Sequence, residues 1–135
     1  MDTIFKALGD ENRLRILNVL MHYEPCVCEL EVVLDLSQSN ASRHLSKLKN
    51  AGLIRSYKEG QWTHYRLNEL FRDNHTQLLE YLNGRFRNEG PYEADLSRFR
   101  VYLDSPYNCH NISSDKDAVT AYFSNRMAGE KMQNF

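Results

Sequence analysis

The hydrophobic period of this chain changes from helical to strand-like immediately after Gly52. Over residues 37–52, apolar side chains recur every three or four positions, which is typical of an amphipathic helix. Over residues 53–67, apolar and polar side chains alternate on both sides of a Glu59-Gly60 turn, which predicts a two-stranded hairpin. Helical spacing resumes at Asn68. We therefore expect a mainly α fold that carries a small β-hairpin, in the α+β class.

Two predicted helices directly before the hairpin form a helix-turn-helix. Pro25 suits the first turn of a helix over residues 26–35, and Ser37 is the expected N-cap of a helix over residues 38–50. The second helix carries small polar and basic side chains in its first two turns, and such groups read base edges in the major groove. With the hairpin as its wing, the chain is predicted to be a winged helix-turn-helix that binds double-stranded DNA.

The distribution of charge supports a nucleic-acid partner, although the whole chain has a net charge of −1. Six bases lie within residues 37–66, where Glu59 is the only acid, so positive charge is confined to the helix-turn-helix and the wing. The residues expected to contact DNA are Ser37, Gln38, Ser39, Asn40, Ser42, Arg43, His44 and Lys47 on the helix, with Lys58 and Arg66 on the hairpin.

Neither a membrane nor a catalytic role is indicated. No window approaches the roughly 18 apolar residues of a membrane span, and the N-terminal residues lack the pattern of a secretory signal. We therefore expect a cytoplasmic protein with no membrane partner. Because the sequence has no nucleophile elbow, phosphate-binding glycine loop or HExxH motif, it is not expected to be an enzyme.

Residues 91–135 differ in composition from the rest of the chain. They hold two of the three prolines and four of the eight tyrosines, and a stretch rich in Ser, Asn and Asp follows Asp104. Ser114 and Asp117 resemble a capping box, which predicts a last helix over about residues 115–127. We therefore divide the chain into a main domain, residues 1–90, and a C-terminal appendage, residues 91–135, packed on it.

Cys26 and Cys28 form a Cys-x-Cys pair at the start of the first helix of the helix-turn-helix. An odd number of cysteines disfavours a disulfide framework, and two thiolates are soft ligands suited to arsenic(III), antimony(III), cadmium, lead, zinc or copper(I). Residues two positions apart on a helix point about 200° from one another. We therefore expect that an ion held by both sulfurs unwinds or bends this turn and moves the helix relative to the DNA-reading helix.

Four segments resemble, in order and spacing, the ArsR/SmtB family of metal- and metalloid-responsive repressors. They are ALGDENRLRILNVL, CVCEL, LSQSNASRHLSKLKNAGLI and RSYKEGQWTHYRLN, and the resemblance covers about residues 3–87. It implies a homodimeric winged-helix protein that occupies operator DNA, blocks transcription and is released by an inducer. It also implies that residues 1–90 form both the DNA-binding and the dimerisation domain, with the helices near residues 2–8 and 69–88 at the dimer interface.

The resemblance implies an arsenical inducer, with one difference from the family pattern. Arsenite repressors read C-V-C-[DE]-L-C, whereas Glu31 occupies the third cysteine position here. Either the ligand needs only two thiolates, or Cys109 supplies a third sulfur from the same or the other subunit. The expected inducers are arsenic(III) species, arsenite or methylarsenite, with antimony(III) or another soft metal ion as further candidates.

Alternative sites and functions stay open at this point. Zinc sensors of the family use an Asp-x-His…His-x-x-Glu set, and Asp73, His75 and Glu89 match it, but Phe86 replaces the second His. We therefore interpret Asp73 and His75 as helix-start residues. For the cysteine pair, the alternatives are a thiol-based redox sensor, a cadmium, lead or zinc sensor, and a metal-trafficking or thiol-buffering protein.

Overall fold

Eight helices and one hairpin follow one another along the part of the chain that this computed structural model describes, residues 2–114 and 117–122. The predicted mainly α fold with a two-stranded hairpin is confirmed. In chain order, the elements are α1 (Asp2–Leu8), α2 (Glu11–Leu20), α3 (Val27–Leu34), α4 (Gln38–Asn50), β1 (Ile54–Glu59), β2 (Trp62–Leu67), α5 (Glu69–Asn74), α6 (Thr76–Asn88), α7 (Tyr92–Leu103) and α8 (Cys109–Ser114).

The core lies where α2, α3 and α4 meet, and the inward faces predicted for these helices supply its side chains. Leu45 and Leu48, expected to tie α4 to the core, are both fully buried. Burial of a leucine side chain contributes about 1.5–3 kcal/mol relative to exposure, so these two positions anchor the DNA-reading helix firmly. The same cluster includes Ile16, Leu17, Leu30, Val33, Leu34 and Ala41.

A tight turn joins α3 to α4. Asp35 ends α3 in the left-handed conformation, with φ of 54°, and Leu36 donates its N–H to the Glu31 carbonyl at 3.0 Å. Ser37 then caps α4, because its side-chain oxygen accepts from the Asn40 N–H at 3.2 Å. The predicted Ser37 cap and the helix-turn-helix are therefore both present.

The hairpin that follows is antiparallel, and its register runs from the Ile54–Leu67 pair to the Glu59–Trp62 pair. Gly60 takes φ of 64° in the turn, a conformation in which glycine avoids the steric cost of a Cβ atom. Lys49 of α4 donates to the Ser56 hydroxyl at 2.9 Å. This contact links the DNA-reading helix to the first strand of the wing.

Helix α7 is an element that the sequence patterns did not predict. It packs against α2, α3 and α6, and its Phe99, Val101 and Tyr102 join the buried cluster formed by the preceding helices. The ring of Phe99 stacks on Tyr23 with centroids 4.4 Å apart. The start of the appendage thus shares a core with the winged helix-turn-helix.

A buried ion pair attaches α7 to α2. The Arg15 guanidinium donates twice to the Asp95 carboxylate, from Nε at 2.8 Å and from Nη2 at 2.9 Å. The Asp95 side chain is only 3% exposed. Asn18 adds a hydrogen bond from its Nδ2 to the Tyr92 carbonyl at 3.0 Å. Paired charges of this kind are tolerated in a core only because each satisfies the other.

Within the described residues, no helix has the length and apolar character needed to cross a membrane. Residues 117–122 are helical, and the rest of the helix predicted over residues 115–127 lies outside the described residues.

We predict that Asp95→Ala lowers the free energy of unfolding by about 3 kcal/mol, because the largely buried Arg15 charge loses its carboxylate partner and keeps only its hydrogen bonds to Asn12 and Leu34. Urea unfolding followed by circular dichroism, in a phosphine reductant that opens disulfides, measures this change. Asp2→Ala is the matched control, since Asp2 pairs with Lys6 at the surface. Equal effects of the two substitutions would contradict the structural role of the buried pair.

Candidate metalloid centre and nucleic-acid interface

Three cysteine sulfurs meet beside the start of α3. The Sγ atoms of Cys26, Cys28 and Cys109 all lie within 4.8 Å of one another, and those of Cys26 and Cys28 are 2.9 Å apart. In this structure Cys26 and Cys109 are joined as a disulfide, and Cys28 is free. The fold therefore brings the distant Cys109 to the Cys-x-Cys pair within one subunit.

The backbone at Cys26 explains how both sulfurs of the pair reach one place. Cys26 is the N-cap of α3 and not a helical residue, with an extended backbone at φ −86° and ψ 168°. The Glu29 carboxylate accepts from its N–H at 3.0 Å and holds this conformation. The expectation that chelation must unwind or bend a helical turn is therefore wrong, because the residue that precedes the helix is already turned toward Cys28.

Cys109 is delivered by the short helix α8, which packs against α3. Asn108 and Asn111 cap one another: the Asn108 N–H donates to Asn111 Oδ1 at 3.0 Å, and the Asn111 N–H donates to Asn108 Oδ1 at 3.1 Å. Ile112, which is buried, anchors the helix. These local contacts define the start of α8, where Cys109 lies.

The electrostatic surroundings of the site favour neutral thiols. Burial raises the pKa of the Cys28 thiol to about 11, and the negative charges of Glu29 and Glu31 act in the same direction. A metal or metalloid that replaces the thiol proton removes this penalty, since the bound sulfur no longer carries a full negative charge. The site is therefore suited to a soft, thiol-binding ligand more than to holding free thiolates.

The segment that ends at Cys26 is joined to strand β2 of the wing by an isolated β-bridge and backbone hydrogen bonds. The Tyr65 N–H donates to the Pro25 carbonyl at 2.9 Å, and Cys26 pairs with His64 in an antiparallel bridge. His64 Nδ1 donates to the Glu24 carbonyl at 2.9 Å. A hydrogen bond from the Tyr57 hydroxyl to the Glu24 carboxylate, 2.8 Å long, raises the pKa of Tyr57 to about 12. Cys26 and Pro25 are thus bonded directly to strand β2.

Most of the residues predicted to contact DNA lie exposed on one side of the molecule. On α4 the exposed positions are Ser37, Gln38, Ser39, Asn40, Ser42, Arg43 and Lys47, and on the wing Lys58 is exposed. Arg43 donates to Asn40 Oδ1 at 3.2 Å, which orients both side chains on the exposed face of α4. Arg66 is half-buried and pairs with Glu69 at 2.8 Å. The bases predicted to contact DNA are therefore exposed at Arg43, Lys47 and Lys58 and half-buried at Arg66, and their contact with DNA stays a prediction.

His44 is placed differently from the expectation that it contacts DNA. Its side chain is only 3% exposed, and Nδ1 accepts from the Arg13 guanidinium at 3.3 Å. Arg13 also donates to the Ala7 carbonyl at 2.6 Å, so the histidine links α4 to α1 and α2. Burial lowers the pKa of His44, although the nearby Asp10 carboxylate opposes that shift. We therefore assign His44 to helix packing and remove it from the DNA-contacting set.

The structure also bears on the second metal site considered for this chain. Among residues 2–114 and 117–122, the three cysteines are the only group of three or more His, Cys, Asp or Glu side chains close enough to share an ion. Asp73 pairs with Arg72 and Glu89 pairs with Arg85, while His75 lies between α5 and α6. The interpretation of Asp73 and His75 as helix-start residues holds for His75, the N-cap of α6, and is wrong for Asp73, which lies in the last turn of α5.

Fold and site together define a winged helix-turn-helix regulator with a cysteine cluster, and comparisons with known proteins identify its family. Residues 10–56 match the family described as "Bacterial regulatory protein, arsR family". The "Arsenical resistance operon repressor" of Bacillus subtilis strain 168 is 38% identical over 87 residues, which cover 64% of this chain and 81% of that protein. The chain belongs to the ArsR family.

Two further relatives show how far the likeness extends. The "Arsenical resistance operon repressor" of Escherichia coli strain K12 is 49% identical over 65 residues, 47% of this chain and 56% of that protein. The chain thus spans about half the length of such curated relatives. The homodimeric winged helix-turn-helix DNA-binding domain Mb0332 of Mycobacterium bovis superposes with a TM-score of 0.54 at 27% identity, over 60% of this chain and 75% of that one.

We predict that Cys28 in the disulfide-bonded form is alkylated by iodoacetamide more slowly than an ordinary cysteine at pH 8. Since the thiolate is the nucleophile, a pKa raised to about 11 means that the rate rises by about tenfold per pH unit until that pH. Mass spectrometry of timed samples measures the rate, and Cys28→Ser in the same form is the blank. An alkylation rate that stops rising near pH 9 would show that the pKa of Cys28 is not raised as described.

Proposed function

We propose that this protein is a transcriptional repressor that binds operator DNA as a homodimer and releases it when a trivalent arsenical binds Cys26, Cys28 and Cys109. The observation that carries the proposal is the convergence of the three sulfurs within one subunit, beside the DNA-reading helices. The family supports the regulatory role, and two relatives are named as arsenical resistance operon repressors.

The chemistry of arsenite fits this set of ligands. With all three cysteines reduced, three As–O bonds break and three As–S bonds form, and each thiol proton leaves with a hydroxide as water. Arsenic stays trivalent throughout, so no oxidant or reductant is needed once the Cys26–Cys109 bond has been reduced. The net exchange consumes three neutral thiols and releases water, so the raised pKa of Cys28 leaves its proton balance unchanged, although each sulfur reacts as its thiolate.

The route from the ligand to DNA runs through the backbone of Cys26. Drawing the Cys26 sulfur toward a shared arsenic atom shifts the N-cap of α3 and, through the His64 bridge and the Pro25–Tyr65 hydrogen bond, strand β2. Both elements that read DNA, α4 and the wing, adjoin this point. A difference of a few kcal/mol between the ligand affinities of the two conformations is enough for release.

The dimer is proposed to form through α1, α5 and α6. Large apolar side chains are exposed on these helices, with Phe5 at 55%, Leu70 at 71% and Tyr81 at 62%. Leu78, Leu79 and Leu82 of α6 are only partly buried in the single chain. Large apolar side chains exposed on three helices are typical of an interface, and the solved relative from M. bovis is described as homodimeric.

A second function is favoured by the Cys26–Cys109 disulfide itself, which is the oxidised product a thiol-based redox sensor would form. Hydrogen peroxide would accept two electrons from the two thiols, the S–S bond would form, and two water molecules would leave. Oxidation would then hold α8 covalently to the start of α3 and take two of the three sulfurs from an arsenical.

We predict that arsenite releases the phosphine-reduced protein from its operator at one arsenic atom per subunit. The operator is first selected from random duplexes, and release is followed by fluorescence anisotropy. The variants Cys26→Ser, Cys28→Ser and Cys109→Ser should bind the same duplex but lose the response to arsenite, because each removes one of three sulfurs.

The controls separate the two candidate functions. Release by peroxide that the phosphine reverses, together with no response to arsenite, would favour the redox sensor. A normal arsenite response in Cys109→Ser would show that the arsenite site needs only two sulfurs. If arsenite releases neither the wild type nor any variant, the arsenical proposal fails.

We predict that Arg43→Ala weakens operator binding by about 1–3 kcal/mol, the usual cost of losing a paired base contact. Arg100→Ala is the control, since this arginine is exposed on α7, donates to the Ser97 hydroxyl, and lies outside the helix-turn-helix, the wing and the proposed dimer helices. Anisotropy at several salt concentrations measures both affinities and tests for the steep salt dependence of phosphate contacts. An unchanged affinity in Arg43→Ala would contradict the docking of α4 in the major groove.

A further inference from the structure

A cavity of about 500 Å³, partly open to solvent, adjoins the cysteine cluster. Cys26 and Cys28 line it, whereas Cys109 does not belong to its wall. Its wall also includes Gln38, the first residue of α4, and Trp62 at the start of β2. The cavity therefore lies between the metalloid centre, the DNA-reading helix and the wing.

The walls of the cavity are suited to an apolar group. Val27, Trp62 and the buried Ile112 supply hydrophobic surface, and the amide side chains that face them are uncharged. Glu31 is the only charged residue in the wall, and it is 9% exposed. A wall without a basic group gives no site for an anion, while an indole ring and aliphatic side chains favour an aromatic or alkyl group.

The number of sulfurs in the wall matches one chemical class of ligand. A trivalent arsenic atom that carries one organic substituent has two bonds left for thiols, and Cys26 and Cys28 are the two cysteines that face the cavity, with their sulfurs 2.9 Å apart. Arsenic held by this pair would direct its substituent into the adjoining space. An inorganic arsenic atom, which takes three sulfurs, would leave that space unfilled.

We propose that the cavity is a subsite for the organic substituent of a mono-organic trivalent arsenical, with Trp62 as the residue that recognises the substituent. The inference rests on the proposed function, since it assumes an arsenical bound to the thiols. In the reaction two As–O bonds break and two As–S bonds form, both thiol protons leave as water, and the As–C bond and the oxidation state are unchanged.

Occupation of this subsite would act directly on both DNA-reading elements. The substituent would contact Gln38, which is expected to reach base edges, and Trp62, which pairs with Glu59 at the wing turn. A bound ring would thus press between α4 and the hairpin. We expect an aromatic arsenical to release DNA at a lower concentration than arsenite does.

The test compares phenylarsine oxide with arsenite on the phosphine-reduced, operator-bound protein. Trp62→Ala should raise the half-release concentration of phenylarsine oxide by about tenfold, because a ring–ring contact is lost. Trp62→Phe should bring this concentration most of the way back to the wild-type value, because the contact is regained. The response to arsenite should change little in either variant. The ratio of the two half-release concentrations within each variant removes any effect of Trp62 on DNA affinity or folding.

Two further readouts connect the effect to the cavity. Cys109→Ser should keep its response to phenylarsine oxide and lose its response to arsenite, since only the inorganic ligand needs the third sulfur. Trp62 is the single tryptophan of the chain, so the intrinsic fluorescence of the wild type should change when phenylarsine oxide binds and should stay nearly constant with arsenite.

The outcomes separate this inference from the proposed function. If Trp62→Ala leaves the ratio of the two half-release concentrations unchanged while both arsenicals release DNA, the subsite is overturned and the arsenical repressor stands. Loss of both responses in Cys109→Ser would also overturn the two-sulfur binding mode. If neither arsenical releases the wild type, the proposed function and the subsite fall together.

Discussion

The extended backbone of Cys26 is the constraint on which the proposed regulation depends. As the N-cap of α3, this residue turns its sulfur toward Cys28, and its neighbour Pro25 accepts a hydrogen bond from Tyr65 of the wing. A cysteine inside the helix would point away from the second sulfur and would have no contact with β2. One backbone conformation therefore creates the thiol pair and joins it to a DNA-reading element, so a ligand need not break a helix to be sensed.

The appendage completes the site from the opposite side. Helix α7 is attached to α2 by the Arg15–Asp95 pair and to the core by Phe99, and the chain that leaves it brings Cys109 to the start of α3. The third sulfur thus comes from a segment outside the family resemblance, and we propose that it takes the role expected of the position that Glu31 occupies. Both helices of this segment, α7 and α8, pack against α3, so the element that begins at the cysteine pair also holds the segment that carries Cys109.

Sequence patterns predicted the elements whose signals are local. The Ser37 cap, the inward leucines of α4 and the hairpin each follow from a periodicity or turn preference within a few residues, and each is present. Helix α7 was missed because its buried face includes Asp95, which resembles a surface residue until its partner 80 positions away is known. His44 was misassigned for the same reason. Its polar side chain suggested a contact with DNA, whereas in the interior it accepts a hydrogen bond from Arg13.

The sequence by itself determined the winged helix-turn-helix and the regulatory family, and it predicted the basic DNA-contacting face and the thiol pair of Cys26 and Cys28. Only the tertiary structure decided that Cys109 joins the pair within one subunit, that Cys26 lies outside α3, and that a cavity separates the cysteines from Gln38 and Trp62. The physical reason is the range of the interactions. Capping and periodicity act over one or two helical turns, whereas the cysteine cluster depends on the packing of segments that are 83 residues apart in the chain.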